Sequence, residues 1–170
     1  MGVRLAAAHI AAFFTIAAGF SASAAPTSVL GPDSNLPVPR FVSLKTEGAN
    51  GRHGPGLEHK VDWIYERVGL PLQVTAESGP WRRVRDPDGA EVWMHAQNLE
   101  PRRMAFVTDA ADAALRRDPN DHSRIVAYLE KGVVGALTAC DGEWRRVAVA
   151  GRVGWVKQDQ VWGASDCSGL

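Results

Sequence analysis

Residues 81–84 read Trp-Arg-Arg-Val, and the same four residues recur at positions 144–147, an offset of 63. At the same offset, the run Gly-Leu-Pro-Leu at 69–72 lies over Gly-Val-Val-Gly at 132–135. A tryptophan motif that recurs with its neighbours in the same order indicates duplication of one unit. The sequence therefore predicts two copies of about 60 residues each.

Each copy consists of short apolar or alternating runs that are separated by Gly, Pro and Asp turns. Such runs are typical of β-strands, and Asp-Pro-Asp-Gly at 86–89 is typical of a hairpin turn. The strands predicted in the first copy are 40–45, 61–67, 70–77, 81–85 and 91–95. Five short strands in about 60 residues predict an all-β fold of two small barrels.

The composition excludes several classes of function. The chain has 170 residues, and its 19 basic and 19 acidic side chains cancel. No global positive field is present to hold nucleic acid or an anionic membrane, so we predict no nucleic-acid partner. With 45% hydrophobic and 22% charged residues, the chain resembles an average soluble globular protein. It is too short for a large catalytic fold in addition to two barrels.

Residues 1–24 are predicted to be a signal peptide. Arg4 precedes an apolar run over 5–20, and Ala-Ser-Ala at 22–24 is a small-x-small cleavage site. The alternative is an uncleaved membrane anchor, which is disfavoured because the run is shorter than the ~20 residues that span a bilayer. We predict a periplasmic or secreted protein with no stable membrane anchor after cleavage, in which residues 25–39 form a proline-rich leader.

Cys140 and Cys167 are the two cysteines of the chain, and both lie beyond the cleavage site. A disulfide persists in an oxidising compartment, and this one would close a loop of about 27 residues. Two unpaired thiols, with Cys167 on a frayed tail at 166–170, are the alternative.

Several motifs together carry a family resemblance. In the first copy they are Val42-Ser43-Leu44-Lys45, Asn50-x-Arg52-x-Gly54-Pro55-Gly56, Trp63-Ile64-Tyr65, Arg67-x-Gly69-Leu70-Pro71-Leu72, Trp81-Arg82-Arg83-Val84 and Gly89-x-Glu91-x-Trp93. In the second copy they are Leu115-Arg116, Gly132-Val133-Val134-Gly135, Cys140-Asp141-Gly142-x-Trp144 and Gly154-Trp155-Val156. These motifs resemble the bacterial SH3 (SH3b) domain family in its exported two-domain form.

The resemblance implies two tandem SH3-like barrels, one at 40–103 and a divergent one at 104–165. It also implies a noncatalytic module without cofactors, whose partner is cell-wall peptidoglycan. Two positions depart from the family pattern, because Gly51 replaces a branched aliphatic residue and Val92 replaces a glycine. Related proteins often place a second cysteine beside the one that matches Cys140. This chain has Arg145 in that neighbourhood, so Cys167 is left as the partner within the chain.

The tryptophans of the repeated motifs are the candidate binding residues. In a strand of period two, Trp81 and Val84 point to opposite faces, so inward valines place the tryptophans outside beside arginines. An exterior strip of this kind stacks on sugar rings or peptides. The alternative is that the tryptophans cover the barrel ends or the interface between the repeats. The candidate ligand-binding residues are Trp63, Tyr65, Trp81, Arg83, Trp93, Trp144 and Trp155.

No motif for nucleophilic, phosphate-binding or metalloprotease chemistry occurs in the sequence, so we predict that the protein is not an enzyme. His53 and His59 are six residues apart around a turn, which is a weak metal signal, and we predict no metal site. The predicted function is peptidoglycan recognition. The alternatives are docking to an envelope protein or complex, and a catalytic site at the junction of the barrels.

Overall fold

The computed structural model of the chain describes residues 29–108, 111–167 and 170. The predicted signal peptide at 1–24 lies outside the described residues, as do the first four residues of the leader. Within the described part, no helix has the length and apolar character needed to cross a membrane.

The described residues form β-strands with two short 3-10 turns, Ala96–Asn98 and Gln158–Gln160. In the leader the strands are β1 (Val29–Leu30) and β2 (Pro37–Val38). In the first repeat they are β3 (Arg40–Leu44), β4 (Ala49–Arg52), β5 (Val61–Tyr65), β6 (Pro71–Ser78), β7 (Trp81–Arg85), β8 (Glu91–His95) and β9 (Leu99–Glu100). In the second repeat they are β10 (Met104–Val107), β11 (Ala113–Arg116), β12 (Ile125–Leu129), β13 (Val134–Asp141), β14 (Trp144–Val149), β15 (Arg152–Lys157) and β16 (Val161–Trp162).

The two repeats have the same topology. The first sheet has the order β5-β4-β8-β7-β6-β3-β9, and the second has the order β12-β11-β15-β14-β13-β10-β16. Every pairing is antiparallel, which confirms the all-β fold and the duplication. All five strands predicted in the first copy are present. Two short strands that were not predicted, β4 and β9, complete its sheet.

Each repeat has its own hydrophobic core. In the first, Val84, Val92 and Met94 are at most 2% exposed, so the inward side of β7 and β8 is the predicted one. In the second, Val147 and Val156 occupy the matching places. The tryptophans of the repeated motifs belong to neither core cluster.

The two departures from the family pattern compensate for each other. A Cβ at Gly51 would lie 2.7 Å from Cγ2 of Val92, so the valine occupies the space that the glycine leaves. In the second repeat the sizes are reversed. Leu115 occupies the place that corresponds to Gly51, and Gly154 occupies the place that corresponds to Val92. A Cβ at Gly154 would lie 2.7 Å from Cγ of Leu115. One large and one small residue therefore fill this place in both cores.

The repeats contact each other through aromatic rings and the chain between the sheets. Phe41 of β3 packs edge to face against Trp162 of β16, with ring centroids 5.0 Å apart. The guanidinium of Arg103 lies over the Phe41 ring, 5.5 Å from its centroid. The Arg103 side chain, itself buried, also donates to the carbonyls of Gly163 and Asp166. The end of the second repeat is thereby fixed against the start of the first.

A disulfide joins Cys140 of β13 to Cys167 in the C-terminal tail, as predicted. Their Cα atoms are 6.2 Å apart. Arg145 supports the same tail, since its Nε donates to the carbonyl oxygen of Ala164 at 2.6 Å. Burial lowers the pKa of the Arg145 guanidinium, and Gln158 provides a further side-chain acceptor for it.

The leader is attached to the first repeat through one buried carboxylate. Glu77 accepts hydrogen bonds from the Ser34 hydroxyl and from the backbone N–H groups of Ser34 and Asp33. It also pairs with Arg40 at 2.8 Å and Arg82 at 3.3 Å. Burial by itself raises the pKa of Glu77, but these donors outweigh it and lower the pKa to about 2. The hairpin of β1 and β2 is therefore held by an ionised carboxylate.

Candidate functional site

The outer face of β7 and β8 carries two rows of paired side chains. Trp81 lies opposite His95, and Arg83 lies opposite Trp93. Arg52 of β4 pairs with Trp93 on its other side. Trp93 therefore lies between Arg52 and Arg83, and it is half-buried.

Trp81 lies on this outer face by register, but its expected exposure is wrong. The residue is only 8% exposed, it packs against the His95 ring, and it lines a groove whose opposite side is the loop that follows β4. The period-two argument fixes the side of the sheet to which a residue points. It does not reveal which other residues pack on that side.

The groove in the first repeat has a volume of about 670 Å³. Residues from four segments of the repeat line it, namely β4 with the residue before it, the loop after β4, the start of β7 with the turn before it, and the end of β8 with the 3-10 turn after it. The lining residues are Gly48, Asn50, Arg52, Gly56, Leu57, Glu58, Pro80, Trp81, His95, Gln97 and Asn98.

Arg52 holds the loop side of the groove in place. Its guanidinium donates to the carbonyl oxygens of Leu57 at 3.1 Å and His59 at 2.7 Å. The His59 ring packs against Gly54, where a Cβ would lie 2.6 Å from the ring. Arg116 acts in the same way in the second repeat by donating to the carbonyl oxygen of Ser123 at 2.9 Å. Each of the two loops is therefore held by an arginine at the corresponding position of its repeat.

The groove offers one tryptophan, one carboxylate, the Arg52 guanidinium, the His95 ring and several neutral polar groups. His95 packs edge to face on Trp81, with ring centroids 5.4 Å apart. Its Nδ1 accepts a hydrogen bond from the backbone N–H of Gln97, which places the ring proton of the neutral form on Nε2. Asn50 is exposed, and the Glu58 side chain is 74% exposed. This set can bind a peptide through hydrogen bonds and one stacked group.

The matching groove of the second repeat is filled by its own side chains. Trp144 takes the place of Trp81, and Lys157 takes that of His95. The Lys157 ammonium lies 5.5 Å from the centroid of the Trp144 ring and 2.9 Å from the Asp121 carboxylate. A cavity of about 210 Å³ remains, compared with about 670 Å³ in the first repeat.

The hydrogen bond between Lys157 and Asp121 affects both groups. It raises the pKa of Lys157 and lowers the pKa of Asp121, so both stay charged over a wide pH range. Trp144 is 6% exposed, which means that its expected exposure is also wrong. The cause differs from that at Trp81, because here a lysine covers the ring.

The remaining candidates lie outside both grooves. Tyr65 is a core residue whose hydroxyl donates to Asp86 at 3.0 Å, and burial, then Asp86, raises its pKa. Trp63 is 59% exposed on β5, the strand at the sheet edge. Arg83 is exposed and pairs with Glu91. Trp155 is half-buried on the outer face of the second repeat, between Arg146 and Arg116.

Sequence reasoning missed most of the groove. It identified Trp81 and quoted Asn50 and Arg52 only as family motif residues, whereas Glu58 and Asn98 carried no signal. The duplication was the signal available, because aligning the two copies also aligns Arg52 with Arg116. Among the described residues, no group of three or more His, Cys, Asp or Glu side chains is placed to hold a metal ion.

Comparison with known proteins supports the duplication. Residues 45–101 and 109–163 each match the family described as bacterial SH3 domain, which confirms the resemblance and its two copies. No curated protein sequence matches the chain significantly.

Two similar solved structures are those of NlpC2 and NlpC1 from Trichomonas vaginalis. Each is 15% identical to this chain, and the TM-scores are 0.33 and 0.32. The matches cover 77% and 78% of this chain but 51% and 48% of the other chains. The present chain therefore spans about half the length of either protein.

Proposed function

Because the chain belongs to the bacterial SH3 domain family, we propose that it is an exported, noncatalytic module that binds cell-wall peptidoglycan through the groove of its first repeat. Domains of this family typically act as binding modules, and many are found outside the cytoplasm. The observation that carries the proposal is the difference between the two grooves. The groove beside Trp81 is open, whereas that beside Trp144 is filled by Lys157.

The chemistry of the open groove suits a wall peptide better than a bare glycan. Asn50, Gln97 and Asn98 offer amide donors and acceptors for a peptide backbone. Trp81 offers only a small part of its surface rather than a broad exposed platform, since it is 8% exposed. Sugar stacking needs an exposed aromatic face, so we propose that the peptide part of peptidoglycan is the main contact.

The two repeats supply a matched pair of variants for the test. Trp81→Ala and Trp144→Ala each remove a nearly buried tryptophan at the same place in the unit. The purified protein without its first 24 residues is mixed with sacculi, which are then pelleted. We expect the protein and Trp144→Ala to pellet and Trp81→Ala to remain in the supernatant.

A second variant separates loss of binding from loss of folding. Asn50 is an exposed groove residue on β4, so Asn50→Arg fills the groove without disturbing the core. We expect it to keep the melting temperature of the parent and to lose pelleting. The proposal is wrong if the parent protein stays in the supernatant, or if folded Asn50→Arg and Trp81→Ala both pellet fully.

Docking to an envelope protein is the second candidate function. It is favoured by Trp63 and Ile64, which are 59% and 61% exposed on the edge strand β5. An exposed edge strand with apolar side chains is suited to pairing with an extended protein segment. In this case Trp63→Asp would abolish capture of an envelope protein from a detergent extract, while Asn50→Arg would leave the capture intact.

A further inference from the structure

The second repeat shows which chemical group fits over the groove tryptophan. Lys157 extends from β15, and its ammonium lies over Trp144 and against the Asp121 carboxylate. An ammonium over an indole ring is attracted by the negative face of the ring, and the carboxylate balances its charge. The second groove is thus occupied by a primary ammonium that belongs to the chain itself.

In the first repeat both charged groups are replaced, although the groove remains. His95, which is shorter, lies where Lys157 lies in the second repeat. Leu57, which is 76% exposed, corresponds in the loop to Asp121. Its neighbour Glu58 lines the groove and is the carboxylate there, 74% exposed, with one oxygen 3.4 Å from Nε2 of His59. The space that Lys157 and Asp121 fill in the second repeat is therefore open beside Trp81.

Arg52 also lines the first groove and is a like charge for any bound cation. Its effect can be judged from the second repeat, where Arg116 lines the groove at the matching position and Lys157 is present nonetheless. Both guanidiniums are engaged by loop carbonyl oxygens, Arg52 by two and Arg116 by one. An arginine at this position is therefore compatible with an ammonium over the tryptophan.

On the premise of the proposed function, we propose that the first groove binds a primary ammonium group of the wall peptide beside Trp81, with Glu58 as its counter-ion. The ligand class is thereby narrowed to peptides that carry a free amine. An amide in place of the amine lacks both the charge and the ion pair, so it is bound more weakly.

A small probe tests this without depending on peptidoglycan binding. Nα-acetyl-lysine N-methylamide has a free side-chain amine, and the same compound acetylated on Nε has none. The probe is titrated into the protein without residues 1–24, and the indole N–H signal of Trp81 is followed by NMR. We expect the free amine to shift this signal in a saturable way, with at least a fivefold higher Kd for the acetylated compound. Equal shifts with both compounds, or no shift with either, would overturn the proposal.

Two variants locate the ammonium. Glu58→Gln removes the counter-ion, and we expect it to raise the Kd of the free amine about three- to fivefold. Glu66→Gln, an exposed carboxylate outside the groove lining, is the matched control and leaves the Kd unchanged. The double variant Leu57→Asp, His95→Lys recreates the internal pair of the second repeat. We expect it to abolish the shift, and an unchanged Kd in the folded double variant counts against the proposal.

Sacculi distinguish this proposal from the proposed function. Treatment with acetic anhydride converts their free amines to amides, and we expect acetylated sacculi to retain at least fivefold less protein than untreated sacculi. Retention on neither preparation rejects peptidoglycan as the ligand, while the small probe still decides on the ammonium. Equal retention on both rejects the ammonium in wall binding and leaves the proposed function standing.

Discussion

The side chain of Val92 fills the space beside Gly51, so that a Cβ at position 51 would lie only 2.7 Å from the valine Cγ2. The second repeat solves the same packing problem with Leu115 and Gly154. A close-packed core tolerates neither an added nor a missing methyl group without a cost in free energy. The two positions are therefore expected to be energetically coupled.

The coupling can be measured by a double-mutant cycle. We expect Gly51→Ala to lower the free energy of unfolding by about 1 to 3 kcal/mol, because the new methyl group overpacks the core. In the double variant Gly51→Ala, Val92→Ala, we expect the free energy of unfolding to fall by about 1 kcal/mol less than the sum of the two single decreases. Denaturant unfolding supplies the values. Val147→Ala, in the separate core of the second repeat, is the control and is expected to add to Gly51→Ala without coupling.

The buried carboxylate of Glu77 makes the free energy of unfolding depend on pH in the acidic range. Its pKa is about 2 in the folded protein, below its ordinary value of 4.5. A depressed pKa contributes stability that is fully present above pH 4.5 and is lost as the pH falls towards 2. The difference corresponds to on the order of 3 kcal/mol.

Denaturant unfolding of the parent and Glu77→Gln between pH 5 and pH 2 tests this dependence. We expect the parent to lose that stability across the window, and Glu77→Gln to begin less stable and to lose much less. Glu91→Gln, which removes a carboxylate that also pairs with two arginines, is the control and follows the parent. Parallel pH profiles for the parent and Glu77→Gln would contradict the assignment.

The disulfide between Cys140 and Cys167 is expected to stabilise the second repeat. On the chain-entropy account, a bridge that closes about 27 residues contributes about 3 to 4 kcal/mol. Because Arg103 and Arg145 also hold the tail, we expect removal of the bridge to lower the melting temperature without unfolding the repeat. Thermal unfolding of the parent should be sensitive to reductant, whereas that of Cys140→Ser, Cys167→Ser should not.

The sequence was sufficient for the architecture because its signals are local. Hairpin turns such as 86–89 and the alternation in β7 and β8 lie within a few residues of the strands that they define. The recurrence of the Trp81 motif at Trp144 then indicated that the chain contains two copies of this unit. The strand β4 was not among the predicted strands, since Gly51 interrupts an alternation that a branched residue would have made visible.

The site was less accessible from the sequence because it depends on contacts between distant segments. Trp81 packs against the His95 ring and faces, across the groove, the loop that carries Gly56, Leu57 and Glu58. The filling of the second groove requires Lys157 to meet Asp121, 36 residues away. Likewise, the attachment of the leader joins Ser34 to Glu77. The periodicity of a single strand does not predict such contacts between residues far apart in the sequence.

The edge-to-face contact between Phe41 and Trp162 also bears on how the protein is made. Phe41 belongs to the first strand of the first repeat, and Trp162 to the last strand of the second. During synthesis the chain emerges from its N-terminal end, so Phe41 lacks its aromatic cover until Trp162 has been added, 121 residues later. The Phe41 face of the first barrel is therefore completed only by the last strand of the second repeat.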